Sequence, residues 1–114
     1  MGSPQLSDRA RALIADPDNE RLLSIASLWE IAIKQSIGKM RLQTPFDEMF
    51  PAQLIDNDIE ILPIEISHLS NVATLPMHHR DPFDRLIIAQ GIVENVSIVS
   101  ADAIFDAYPV TRLW

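Results

Sequence analysis

The chain contains no cysteine, which excludes disulfides and cysteine-ligated zinc. With only three histidines to supply nitrogen donors, a zinc site is not expected. No apolar run is long enough to span a bilayer, and the N-terminus has no apolar signal region, so a membrane role is not expected and a cytoplasmic setting is. Positive charge is scarce: nine Lys and Arg face 16 Asp and Glu, for a net charge of −7. That excludes nucleic-acid binding through a general basic field. A phosphate backbone could be handled only through metal ions or a local Arg/Lys patch, and the acidic balance also suits a partner that carries basic residues. Repeats, low-complexity stretches and linkers are absent as well. The 114 residues therefore read as a single domain, 1–114, with residues 1–5 disordered or left over from cloning.

What is present is ordinary globular material, 47% hydrophobic and 22% charged, patterned in alternating elements. Residues 6–15 read as a helix capped by Ser7, followed by the turn cluster Asp16-Pro17-Asp18-Asn19. Residues 21–26 are a short apolar run and read as a buried strand. Ser27 then caps a helix to about Ile37, with Glu30 as its capping-box partner and Gly38 as its stop. Pro45 opens a further helix to Leu54 or Asp56. Residues 59–64 read as a second strand, and Ser67 starts a short helix to Thr74. A helix from Asp81 to about Glu94 ends at Asn95. A third strand covers 97–100, a helical turn runs from Asp102 to Ala107, and a last edge strand covers 110–114. Strands alternating with helices predict a mostly parallel sheet with helices on both faces, a three-layer α/β/α domain. Ligands of such sheets bind beyond the carboxyl ends of the strands.

The richest stretch is His78-His79-Arg80-Asp81-Pro82-Phe83-Asp84-Arg85, which runs straight into Leu86-Ile87-Ile88-Ala89. Asp81 before Pro82 is a helix-start signal, and Asp84 lies one turn on, so both carboxylates can share a side at the positive end of the helix. Glu30 follows the first strand and Asp102 the third. Carboxylates converging on one cleft repel each other when empty and suit a hard divalent cation such as Mg²⁺ or Mn²⁺. Such ions can orient a phosphodiester and activate water.

Three segments in order resemble the PIN-domain family: Ser24-Ile25-Ala26-Ser27-Leu28-Trp29-Glu30-Ile31-Ala32-Ile33-Lys34, the stretch from His79 to Gln90, and Val99-Ser100-Ala101-Asp102 with Phe105 and Tyr108. More narrowly they are similar to the VapC-type toxins of bacterial toxin–antitoxin pairs, over residues 6–114. The resemblance implies a Mg²⁺- or Mn²⁺-dependent endoribonuclease and a cognate antitoxin that wraps it, and a homodimer is expected from the unpaired strand edges that a missing strand would leave. By position it makes Glu30, Asp84 and Asp102 the catalytic and metal-binding acids, with Asp81 and the Ser100 hydroxyl auxiliary. The family begins with an apolar strand ending in Asp. Here residues 1–6 are polar, so the resemblance implies an N-terminally incomplete PIN-like domain without the leading acid.

Plainer readings stand beside these. Glu30 is equally a capping-box residue or the partner of Lys34 one turn on, and Asp81 and Asp102 read as helix caps. Arg80, Arg85 and Lys34 are either phosphate contacts or ion-pair partners of neighbouring acids. His78 and His79 read as solvated or packing residues, and Trp29 and Phe83 as core or partner-groove residues. The rival function is a catalytically dead, truncated domain that binds only its antitoxin or itself. A phosphatase on a similar sheet ranks third, for want of a nucleophilic Asp after a first strand.

Overall fold

A Ser side chain that finds the free amides of a first turn sets where two of the helices begin. The Ser7 hydroxyl accepts from the Ala10 N–H at 3.0 Å and opens α1 (Asp8–Ala15). Ser24 does the same for Ala26 at 3.1 Å and opens α2 (Ile25–Ser36), directly after strand β1 (Leu22–Ser24). The cap is thus Ser24 and not Ser27, and no capping box joins Ser27 to Glu30. Ser24 is preferred because its buried hydroxyl also donates to the Gln90 side chain, a partner that lies far off in sequence. Gly38 closes the helix at φ +77°, a conformation that costs a residue without a Cβ little. The computed structural model describes residues 6–114; the expectation for residues 1–5 lies outside them.

The helix expected from Pro45 is two short ones, α3 (Phe46–Met49) and α4 (Ala52–Asp56), separated at Pro51, whose ring cannot continue a helical ladder. Strand β2 (Glu60–Leu62) follows. Helix α5 (Ile66–Thr74) starts one residue before the expected Ser67, with Glu65 at its N-cap. The long helix α6 (Pro82–Glu94) is capped by Asp81, and Asn95 ends it in the left-handed region at φ 54°. Strand β3 (Ile98–Val99), a 3₁₀ turn (Ala103–Ala107) capped by Asp102, and strand β4 (Arg112–Leu113) complete the chain.

All strand pairing among the described residues is parallel, as expected for an α/β domain. β1 pairs with β2 in the register Leu22↔Glu60, and β3 pairs with β4 in the register Ile98↔Arg112. The two ribbons do not pair with each other. Between them lies a cleft of about 720 Å³, walled by Leu23 and Ser24 on one side and Ile98 and Val99 on the other. The single sheet expected from the sequence is therefore divided, because no described segment supplies the backbone hydrogen bonds that would join β1 to β3.

The main apolar cluster lies under the second ribbon: Ile88, Ile98, Phe105 and Tyr108 are buried, flanked by Leu75, Ile87 and Ile104. Gly91 lets α6 approach β3; a Cβ there would meet the Ile98 side chain at 2.9 Å. Gln90, also buried, bonds Ser24 through its oxygen and donates to the Pro63 carbonyl at 3.2 Å, tying α6 to the first ribbon. Helix α5 packs along α6. Its His68 is fully buried: Nδ1 accepts from the Glu65 N–H at 3.0 Å and Nε2 lies 2.9 Å from Glu94.

Candidate functional site

Three elements deliver donors to one point. Asp81 accepts from the N–H groups of Phe83 (2.8 Å) and Asp84 (3.0 Å), which fixes the first turn of α6 and aims the Asp84 carboxylate. After β3, Ser100 Oγ accepts from the Asp102 N–H at 3.1 Å, and Asp102 in turn accepts from Ile104 at 3.1 Å. Those contacts hold Asp102 at the head of the 3₁₀ turn, just beyond the carboxyl end of the strand. The third donor is His79. Its Nε2 lies 2.7 Å from Asp84 Oδ2 and 3.8 Å from Asp102 Oδ2. The ligating atoms of His79, Asp84 and Asp102 all fall within 4.8 Å of one another.

His79 sits on a loop held with unusual care. The N–H groups of His78 and His79 donate to the Tyr108 hydroxyl at 2.9 and 2.8 Å, and that hydroxyl donates to the Pro76 carbonyl at 2.8 Å. Arg85 is buried beneath the loop. Its Nη1 donates to Pro76 (3.0 Å) and His79 (3.3 Å), and its Nη2 to Leu75 (3.1 Å) and Val72 (3.4 Å), all carbonyls. Arg85 therefore staples the loop and is not presented to a substrate phosphate. Arg80, at the other end of the same loop, is exposed.

The electrostatics favour a cation. Burial pushes the Asp84 carboxyl above its ordinary value; the hydrogen bond from His79 works against this, and the negative charges of Asp81 and Glu30 add to it. Glu30 thus acts on Asp84 and shares the cleft wall with it, but it stands outside the three-donor cluster, 3.3 Å from Lys34 one turn along α2. Of the acids expected from the sequence, the structure brings Asp84 and Asp102 together, leaves Glu30 beside them, and spends Asp81 on the helix cap. Trp29 is exposed and meets Phe83 edge-on at 5.0 Å, so the pair lies at the surface and not in the core.

His79 is the residue that sequence reasoning passed over. The signal was its place five residues before Asp84 in a polar loop, but only the fold of the loop turns the ring onto the acids. One imidazole and two carboxylates are a donor set that fits a divalent ion, and the raised Asp84 carboxyl is what such an ion would relieve.

The fold is thus an α/β domain with parallel strands in which Asp84 and Asp102 come together with His79. The family follows from comparison: the PIN domain model matches residues 2–110, and the chain belongs to that family. PIN domains are in general nucleases that use divalent metal. No curated protein and no solved structure matches the chain.

Proposed function

We propose that this chain is a Mg²⁺- or Mn²⁺-dependent endoribonuclease, the toxin of a type II toxin–antitoxin pair, acting on RNA in the cytoplasm. The observation that carries the reading is the convergence of Asp84 and Asp102, from two separate elements, on one point at the strand ends. Asp84 and Asp102 would hold the ion, with Glu30 adding negative charge from the cleft wall. A bound divalent ion would supply Lewis acidity and charge neutralisation at the scissile phosphate. The chain's own residues do the rest: Asp81 and Ser100 orient the two acids, and Arg80 is placed to meet the phosphate backbone. Exposed apolar residues on α5, Ile66 and Leu69, support the reading that an antitoxin or a second copy covers this protein.

The rival reading is a domain without catalysis that keeps only its antitoxin or self-contact. Its specific support is Glu30, which is engaged with Lys34 and leaves only two carboxylates in the cluster.

Cleavage of a mixed RNA substrate with Mn²⁺, for the wild type and for Asp84→Asn and Asp102→Asn, separates the two. The nuclease reading expects each substitution to lower the rate by roughly 100-fold or more, the scale of losing one electrostatic stabiliser. A wild type without cleavage that still binds a partner supports the rival.

A further inference from the structure

Three histidines are present, and the structure spends them differently. Both ring nitrogens of His68 are committed within the α5–α6 packing. His78 is exposed, with its ring edge-on to Tyr108 at 5.2 Å. His79 alone of the three turns a nitrogen onto carboxylates of two different elements, bonding Asp84 and standing just beyond bonding distance of Asp102. A ring that served only to orient Asp84 would have no reason to stand within 3.8 Å of Asp102 as well.

The second observation is the scaffold behind it. Tyr108 uses two accepting positions and its one proton on this loop, and Arg85, a buried cation, donates to loop carbonyls. His79 is held at its N–H by Tyr108 and at its carbonyl by Arg85. Outer contacts of that kind are what fix the direction of a metal-ligating side chain.

We propose that His79 is a ligand of the ion, its Nε2 joining Asp84 and Asp102, and that this nitrogen makes the site favour Mn²⁺, Co²⁺ or Zn²⁺ over Mg²⁺. Ligation takes the neutral ring, with its proton on Nδ1 and the lone pair on Nε2. Imidazole suits these borderline ions, whereas Mg²⁺ prefers oxygen. The inference rests on the metal site of the proposed function, and it adds both the third donor and the order of metal preference.

The test uses the full chain loaded with Mn²⁺. Electron spin-echo measurements report directly whether a nitrogen is bound to the ion, and calorimetry gives the Mn²⁺ and Mg²⁺ affinities. His79→Gln, His78→Gln and Asp84→Asn are run alongside, each checked for a native melting curve. The expected result is a nitrogen coupling in the wild type that His79→Gln abolishes, with Mn²⁺ affinity reduced roughly tenfold or more and Mg²⁺ affinity reduced less. His78→Gln keeps the coupling. Bound Mn²⁺ without nitrogen coupling overturns the proposal, as does an equal loss of Mn²⁺ and Mg²⁺ affinity in His79→Gln, which would make His79 a residue that only positions Asp84. If Mn²⁺ binding is lost in Asp84→Asn but unchanged in His79→Gln, the metal site stands and His79 leaves it. A wild type that binds no Mn²⁺ overturns the ligand assignment and the metal reading together.

Discussion

Two connecting regions of this chain resemble each other in composition and differ in how they are held. Residues 75–85 and residues 45–59 both carry prolines, acids and scattered apolar side chains. In the first, backbone polar groups are met by side chains: Tyr108 from a distant element and Arg85 from α6 serve the loop, and Asp81 caps that helix. In the second, α3 and α4 have no side-chain N-caps, and Ile55 stands 72% exposed. The first region sets the His79 ring against the Asp84 carboxylate at 2.7 Å. The second only carries the chain from α2 to β2. Polar satisfaction is concentrated where direction matters, since each buried bond costs little when made and much when broken.

The largest test of that contrast is Arg85→Ala. It strips the donor from the loop carbonyls of Leu75, Pro76 and His79 and from that of Val72 in α5, and a loss of about 2–4 kcal/mol in urea unfolding is expected. A loss no greater than that of a surface substitution would show that the staple is dispensable. Tyr108→Phe comes next. It keeps the packed ring but removes the hydroxyl that meets the N–H groups of His78 and His79, at an expected cost of about 1–2 kcal/mol. Hydrogen exchange should localise the change to those two amides, with α3 and α4 unaffected.

Asp84→Asn sharpens the comparison through pH. The Asp84 carboxyl is raised in the folded chain, so its contribution to stability is present below the ordinary carboxylate value and is lost as pH rises through the folded value. The variant is therefore expected to melt above the wild type at neutral pH in a chelator, with the gap closing toward acid. A variant that melts lower at neutral pH would mean that the bond with His79 outweighs burial. The smallest effect is expected in the loosely held region: Ile55→Ala should change stability by no more than about 0.5 kcal/mol.

Much of the fold could be read from local chemistry. Ser7, Asp81 and Asp102 cap the helices expected of them, and Gly38 and Asn95 end α2 and α6. Each of these devices acts within one turn of itself, so the order of residues suffices to find it. The misplaced boundaries had distant causes. Ser24 displaced Ser27 as a cap because a buried partner, Gln90, awaited its hydroxyl. Glu65 displaced Ser67 because the buried ring of His68 reached back to its N–H. The site divides in the same way. Asp84 and Asp102 were legible as acids at a helix start and a strand end, whereas the part played by Arg85 depended on which way a long side chain turned, inward to carbonyls and not outward to phosphate.

By itself the sequence determined the α/β class, the parallel sense of the strands, the PIN-type order of motifs and the two acids at the centre of the site. The class and the strand sense follow from periodicity, caps and spacing, all short-range properties; the motif order and the choice of acids follow from the resemblance to the family. Only the tertiary structure decided that the strands form two separate ribbons around a cleft, that Glu30 stands beside the cluster, and that His79 joins it. Those outcomes depend on contacts between residues far apart in the chain, where the direction of a side chain is set by what packs behind it, and no local pattern encodes that.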